Sequence, residues 1–135
     1  TIFFDDYAHH PTEIEEVLNG INQVYKNREI NCVFQPHRIT RVNSLKKKFS
    51  YAFKKATTVI LCPIYKAGEN LKLGFSYYNF AKDIIKNSKV RLIIIEDQYE
   101  LAKYIKENIY GENIVVGMGA GSISNWMKQL PKLIK

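Results

Sequence analysis

Residues 30–41, INCVFQPHRITR, contain the pattern that decides the fold. The run from Ile30 to Phe34 has the length of a β-strand and is too continuously apolar for a strand with one solvent-facing side. After residue 41 the apolar side chains recur every three or four residues, which is typical of a helix with one buried face, at Val42, Leu45, Phe49, Ala52, Phe53 and Ala56. The segment therefore predicts a buried strand, a polar loop and an amphipathic helix in that order.

The same succession is repeated along the whole chain. Further apolar runs of strand length occur at Ile2 to Phe4, Thr58 to Cys62, Val90 to Ile95 and Ile114 to Met118. The other helical periods cover Ile14 to Tyr25, Tyr77 to Ile85, Leu101 to Ile109 and Ile123 to Leu130. Strands that alternate with helices predict an α/β fold, in which a mostly parallel, buried sheet has helices on both faces. With 135 residues and no linker or repeat, we expect a single domain.

The composition is that of a soluble globular protein, with 46% hydrophobic and 24% charged residues. No apolar run approaches the ~20 residues that span a bilayer, so we expect no membrane partner. Cys32 and Cys62 lie inside apolar runs, which predicts buried free thiols and a cytoplasmic location. The net charge of +7 comes from lysines spread over every segment, without an aromatic platform, so we expect no nucleic-acid partner. The start at Thr1, without a methionine, indicates a piece of a longer polypeptide.

Polar segments follow four of the five apolar runs, where ligands bind in a parallel α/β sheet. All three histidines, His9, His10 and His37, lie in the first two of these loops. Pro11 at a first helical position, with Thr12 and Glu15 spaced as a capping box, explains part of the first loop as a helix start. It does not explain two adjacent imidazoles after a pair of aspartates. No histidine or cysteine recurs at a metal-like spacing, so we expect no metal to be held by this chain alone.

The second loop contains two of the only four arginines in a chain with 20 basic residues. A guanidinium fork binds a carboxylate or phosphate in a bidentate way that lysine does not reproduce. With Thr40 as the N-cap, Arg38 and Arg41 flank the start of the second helix, whose free N–H groups also favour an anion. The pattern therefore predicts an anion site. The alternative is a pair of surface arginines in ordinary salt bridges, which would leave the adjacent His37 unexplained.

Motifs for a complete active site are missing from the chain. The glycines between Gly117 and Gly121 do not have the G-x-G-x-x-G spacing of a dinucleotide site and follow the last strand. No G-x-x-x-x-G-K-[ST] loop is present, so the chain has no phosphate cradle of its own for ATP. Without a Ser-His-Asp order or paired carboxylates, we expect no catalytic residue here. The aromatic segment from Phe75 to Phe80 favours core packing over a stacking platform.

Four motifs in this order and spacing resemble the C-terminal domain of the Mur ligase family: DDYAHHPTE at 5–13, VFQPHRITR at 33–41, YKAGE at 65–69 and GAGSI at 119–123. The similarity is strongest to the branch that joins L-alanine to UDP-N-acetylmuramate in bacterial peptidoglycan synthesis. It spans the whole chain, and the first two motifs are highly specific, whereas the last two alone would be weak. The resemblance implies a Rossmann-like sheet, in agreement with the periodicity.

The resemblance also implies a mechanism and roles for single residues. ATP, with Mg²⁺, would activate the sugar's carboxylate as an acyl phosphate, which the amine of L-alanine would attack. Asp6 would contact the ATP ribose and Tyr7 the adenine, while His9, His37, Arg38 and Arg41 would surround the alanine carboxylate. Gly119, Ala120 and Gly121 form a possible substrate loop. The phosphate loop and metal ligands would belong to a central domain and the UDP-sugar site to an N-terminal domain, so we expect the isolated chain to be inactive.

Three alternatives remain open. A related recycling ligase, which attaches a murein tripeptide to UDP-N-acetylmuramate, shares the first motif, and Ala8, where glycine is common, favours it mildly. The segment from Gln35 to Arg38 favours the alanine ligase more strongly, and Ile39 in place of an aromatic residue removes no polar contact. The second alternative is a stand-alone Rossmann-like nucleotide-binding module, and the third is a basic nucleic-acid-binding domain.

Overall fold

The computed structural model describes residues 1–65 and 76–135, in which strands and helices alternate from the first residue to the last. The strands are β1 (Ile2–Asp6), β2 (Ile30–Phe34), β3 (Thr58–Leu61), β4 (Arg91–Ile94) and β5 (Ile114–Met118). The helices are α1 (Pro11–Val24), α2 (Ile39–Tyr51), α3 (Tyr77–Ser88), α4 (Gln98–Asn108) and α5 (Ile123–Leu133). Each predicted strand and helix is present. The strand bounds differ from the predicted ones by up to two residues and the helix bounds by up to five, the largest difference being the end of α2 at Tyr51.

The five strands form one sheet in the order β1-β5-β2-β3-β4, and all of its neighbours are parallel. The last strand is therefore inserted between the first two. Met118 at the end of β5 is in register with Asp6 of β1 and with Phe34 of β2, and Phe34 is in register with Leu61 of β3. The loops that follow these four strands consequently leave the sheet from one edge.

Helices cover both faces of the sheet, which confirms the predicted α/β architecture. On one face, buried side chains of α1, α2 and α3 pack around Phe34, whose ring lies 5.6 Å from that of Phe49 and 5.3 Å from that of Phe53. On the other face, α4 and α5 pack on Val33 and Ile60. Neighbouring residues of β2 thus face opposite layers, as the alternation along a strand requires.

The two edge strands differ from the prediction that every apolar run is buried. All residues of β2, β3 and β5 are buried, whereas β1 and β4 are only partly covered, and Ile94 of β4 is 37% exposed. An edge strand lacks a neighbour on one side, so its apolar side chains keep some contact with solvent.

Other sequence predictions concern the core. Cys32 and Cys62 are free and buried, and burial raises the pKa of both thiols. In the aromatic segment, Phe80 is buried and the Tyr77 hydroxyl donates to the Cys62 carbonyl, which confirms core packing for these two residues. Tyr78 is 74% exposed, so the prediction is wrong for it, and Phe75 lies outside the described residues. None of the described helices is long and apolar enough to cross a membrane.

Substitution of Gly117 tests how tightly α5 packs on the sheet, and Gly20 offers an open position for comparison. A Cβ at Gly117 of β5 would lie 2.4 Å from Met127 Cγ of α5, whereas a Cβ at Gly20 of α1 would meet nothing within 4 Å. We expect Gly117→Ala to destabilise the chain by roughly 1–3 kcal/mol, because Met127 must leave its position. Gly20→Ala should stabilise it by about 0.4–1 kcal/mol, since it restricts the unfolded chain at an open helical position. Urea denaturation of both variants checks the pair, and equal effects would contradict this packing.

Candidate functional site

At the carboxyl end of β5, neighbouring strands lead to helices on opposite faces of the sheet. The helices α1 and α2, which follow the two neighbours of β5, pack on one face, whereas α5 packs on the other. The loops at 7–10, 35–38 and 119–122 therefore surround a crevice above β5. Such a reversal of direction is the place where open α/β sheets bind ligands.

The two adjacent aspartates before the first loop have different hydrogen-bond partners. Asp5 accepts a hydrogen bond from Ser124 Oγ of α5 at 2.7 Å. Asp6 accepts one from the Ala8 amide through Oδ1 at 2.9 Å, and among the described residues its Oδ2 has no donor. The next side chain, Tyr7, is 72% exposed. The loop thus places the half-buried carboxylate of Asp6 next to the exposed ring of Tyr7.

The N-cap of helix α1 lies two residues before the Thr12 of the predicted capping box. His10 is the N-cap, and its Nδ1 accepts a hydrogen bond from the Thr12 amide at 3.4 Å. The Glu13 carboxylate accepts from the amides of His10 at 3.1 Å and His9 at 3.4 Å. The predicted box of Thr12 with Glu15 is therefore wrong, because Pro11 occupies the first helical position and the cap must precede it. The His10 side chain therefore caps α1, and His9 is the histidine of this loop whose ring contacts His37.

Three aromatic rings connect the loops that follow β1, β2 and β3. The rings of His9 and His37 meet edge to face at 6.0 Å, and His37 is stacked on Tyr65 at 5.2 Å with an angle of 16° between the planes. His9 Nδ1 lies 2.9 Å from the Tyr7 carbonyl oxygen, which acts only as an acceptor. The structure thus brings together the two histidines that were predicted to share a site. It adds Tyr65, which the prediction of site residues missed.

The second loop reaches α2 through an unusual backbone conformation at Arg38. Its φ is 68°, its amide donates to the Tyr65 carbonyl at 2.8 Å, and the Tyr65 amide donates to the Pro36 carbonyl at 2.8 Å. Arg38 is the N-cap of α2 without a side-chain cap bond. The prediction of Thr40 as N-cap is wrong, since α2 begins at Ile39 and the Arg38 carbonyl already accepts the first helical hydrogen bond, from Val42 at 3.1 Å.

The predicted anion site is a recess at the start of α2. It has a volume of about 480 Å³ and is lined by Arg38, Thr40, Arg41 and Ser44. Nη1 of Arg41 is buried and has no hydrogen-bond partner among the described residues, and neither arginine forms an ion pair there. A buried N–H group without an acceptor costs free energy, which a bound anion would recover. The geometry therefore favours an anion site over the alternative of two salt-bridged surface arginines.

The glycine loop after β5 lies against the second and third loops. A Cβ at Gly119, whose φ is 149°, would lie 2.9 Å from the Gln35 carbonyl oxygen, and a Cβ at Gly121 would lie 2.6 Å from Cγ of Tyr65. Both glycines thus allow a close approach of backbone and side chains. Ala120 between them is partly exposed. The role of these three residues as a substrate loop stays a prediction.

Some of the predicted features are not placed by the structure. Residues 66–69 of the third motif lie outside the described residues. Within 1–65 and 76–135, no three side chains of His, Cys, Asp or Glu are grouped closely enough to hold a metal ion.

Comparisons with known proteins agree with the motifs. The family model described as "Mur ligase, glutamate ligase domain" matches residues 1–121. The UDP-N-acetylmuramate–L-alanine ligase of Pelagibacter ubique is 70% identical over 134 residues, which are 99% of this chain and 29% of that protein. The chain thus spans less than a third of the length of this relative.

Two solved structures resemble the fold. The UDP-N-acetylmuramate-alanine ligase of Thermotoga maritima matches 96% of this chain with a TM-score of 0.73 and 26% identity, over 26% of its own length. The murein peptide ligase of Psychrobacter arcticus matches 98% of this chain with a TM-score of 0.75, over 27% of its own length. At 17% identity, the second likeness shows the fold alone.

The start of α1 predicts a pH dependence of stability. Hydrogen bonds to Glu13, first the one from the His9 amide, hold the pKa of this carboxyl below its ordinary value of 4.5. Because the folded state prefers the ionised form, its contribution is complete above the unfolded pKa and is lost as the pH falls through the folded pKa. We expect Glu13→Gln to be less stable than wild type at neutral pH, and the difference to shrink as the pH falls below 4.5 and through the lower folded pKa.

Thermal unfolding from about pH 3 to about pH 7, which spans the ordinary titration of a carboxyl group, measures this difference. Glu16→Gln, exposed on the same helix, is the control. A loss of stability that does not vary with pH would contradict the cap.

Proposed function

The chain belongs to the Mur ligase family, and on that premise we propose that it is the amino-acid-binding domain of an ATP-dependent enzyme that joins L-alanine to UDP-N-acetylmuramate. In this reaction ATP converts the lactyl carboxylate of the sugar to an acyl phosphate. The amine of L-alanine then attacks the acyl carbon, an amide bond forms, and phosphate leaves. The reaction belongs to peptidoglycan synthesis, for which we propose a bacterial cytoplasmic location.

The observation that supports this proposal best is the buried Nη1 of Arg41, which has no hydrogen-bond partner within residues 1–65 and 76–135 and lies in the recess beside Arg38. An amino acid offers a carboxylate, which matches a guanidinium in charge and in its two-pronged geometry. Together with His37 and His9 from the adjoining loops, the two arginines would hold that carboxylate. The amine of L-alanine would then be free to face the acyl phosphate, and this orientation is the contribution of the domain to the rate.

The first loop is suited to the nucleotide. We propose that Oδ2 of Asp6, which has no donor among the described residues, accepts ribose hydroxyls, and that the exposed ring of Tyr7 covers the adenine. Among the described residues, no three His, Cys, Asp or Glu side chains are grouped closely enough to hold a metal ion. We assign the ion and the phosphate cradle to a central domain of the longer enzyme, and the UDP-sugar to an N-terminal domain. Alone, the 135-residue chain should hydrolyse no ATP and form no amide.

The recycling ligase is the second candidate, and Ala8 is the residue that favours it. Ala8 is only 3% exposed and packs in the core under α1. A side chain in that position acts on packing and does not contact a substrate, so it argues little about the choice between an amino acid and a tripeptide. A stand-alone nucleotide-binding module would need its own phosphate cradle, which the sequence lacks.

The direct test uses the full-length parent enzyme, with ATP, Mg²⁺ and UDP-N-acetylmuramate, and offers either L-alanine or the murein tripeptide. Mass spectrometry of the UDP-sugar product should show addition of one alanine, with one ADP released for each amide formed. A product that carries only the tripeptide would overturn the proposal in favour of the recycling ligase.

Substitution of either arginine should lower kcat/KM for L-alanine. If Arg38 and Arg41 hold a buried carboxylate, Arg38→Ala or Arg41→Ala should cost ~2–5 kcal/mol, or about 30-fold or more in kcat/KM for L-alanine. Lysine at either position should recover only part of the lost kcat/KM, because it restores the charge but not the two-pronged guanidinium geometry. The KM for ATP should barely change. Arg91→Ala, at an exposed position of β4, is the matched control. Wild-type kinetics in both alanine variants would reduce these arginines to surface charges.

Substitution in the first loop should instead raise the KM for ATP. Asp6→Asn keeps an oxygen for the Ala8 amide but removes the charge, and we expect it to raise the KM for ATP about tenfold, as for a lost hydrogen bond to a charged group. Tyr7→Ala should raise it less, and should leave stability unchanged because the ring is exposed. Steady-state kinetics with ATP and with alanine as the varied substrate separate the two effects. A change confined to the KM for alanine would show that this loop does not bind the nucleotide.

A further inference from the structure

Gln35 is a buried amide side chain that joins the second loop to the start of α5 and to the segment after β3. It directly follows β2 and is only 4% exposed. Its Oε1 accepts a hydrogen bond from the Ile123 amide at 2.9 Å. Its Nε2 donates to Ser122 Oγ at 3.0 Å and to the Pro63 carbonyl at 3.4 Å. One side chain of the second loop is thus bonded to the start of α5 and to the segment after β3.

The bond to Ile123 replaces a missing helix cap. Ser122 is the N-cap of α5, but its side chain makes no cap hydrogen bond. The first amide of a helix needs an acceptor when water does not reach it, and Gln35, 88 residues away in sequence, supplies it. The side-chain amide of Gln35 therefore ties the start of α5 directly to the second loop.

The same side chain is close to the residues that we assign to the amino acid. Only Pro36 separates it from His37, and Arg38 follows. The backbone N–H of Gln35 also donates to the Met118 carbonyl at 3.0 Å. The glycine loop lies against the Gln35 side chain, so that a Cβ at Gly121 would be 2.9 Å from Oε1. A shift of Gln35 would consequently move the second loop and the glycine loop relative to each other.

We propose that Gln35 is a positioning residue, which holds the loop of His37 and Arg38 against α5 and the segment after β3 so that the amino-acid site is preformed. This inference rests on the proposed function and names the residue that sets the geometry of its site. Gln35 itself has both ends of its amide occupied by the protein. It acts through the loop, without contact to the substrate.

A merely structural role is the alternative, and the chain offers a matched control for it. Asn31 is a second buried amide on β2, 3% exposed, and its Nδ2 donates to the Ile114 carbonyl of β5 at 3.1 Å. It lies at the amino end of the same strand, away from the crevice. Loss of either amide removes buried hydrogen bonds, but only loss of Gln35 should alter the amino-acid site.

The experiment compares Gln35→Leu, Gln35→Glu, Ser122→Ala and Asn31→Leu in the full-length enzyme, by steady-state kinetics and thermal unfolding. We expect Gln35→Leu to lower kcat/KM for L-alanine by about tenfold or more, since small misplacements of binding groups have large effects on rate. The KM for ATP should stay within about twofold of wild type. Glutamate keeps the acceptor for the Ile123 amide, which also favours a negative charge at a helix start, and should recover part of the loss.

Three outcomes separate the possibilities. Asn31→Leu should lower the unfolding temperature as Gln35→Leu does, with kcat/KM for alanine unchanged. If Gln35→Leu follows the same pattern, or raises the KM for all three substrates alike, the positioning role is overturned. If Gln35→Leu does not fold, Ser122→Ala, which removes only one acceptor, must still lower kcat/KM for alanine for the role to stand. An inactive wild-type enzyme with alanine would instead overturn the proposed function.

Discussion

The pairing of β5 with both β1 and β2 is the interaction on which the rest of the structure depends. It places the last strand between the first two, so that loops more than 80 residues apart in sequence converge at one edge. The contacts across this edge follow from it, among them Ser124 with Asp5 and the Gly119 amide with the Asp6 carbonyl. Without this insertion, the first two loops would have no α5 beside them and no crevice between opposite helix layers.

Two features at the proposed binding edge of the sheet cost free energy. Arg41 has a buried N–H group without an acceptor among the described residues, and Arg38 adopts a left-handed backbone conformation that side chains disfavour. Two backbone bonds between the second loop and Tyr65, and the stacking of Tyr65 on His37, hold that conformation. Stable packing in the two cores thus maintains the edge at which we propose that the amino acid binds.

The sequence predicted the elements better than their arrangement. The strand runs, the helical periods and the meeting of His9 with His37 follow from local patterns and from the rule that parallel strands end at one edge. The strand order does not, because the apolar run of β5 would suit any buried position. The caps formed by His10 and Arg38 were missed since neither residue is a usual N-cap. Gln35 was seen as part of a motif, but its bonds to Ser122 and Ile123 depend on tertiary structure. The contacts to ATP and alanine remain proposals.

The most direct test of the amino-acid site changes the substrate and the protein together. L-Alaninamide lacks the carboxylate of L-alanine, so the ratio of their kcat/KM values in the full-length enzyme measures what the carboxylate contributes. If Arg41 binds it, wild type should prefer L-alanine by about 30-fold or more, and Arg41→Ala should lose most of that preference. Arg91→Ala should keep it. An equal preference for L-alanine in wild type and Arg41→Ala would contradict binding of the carboxylate by Arg41.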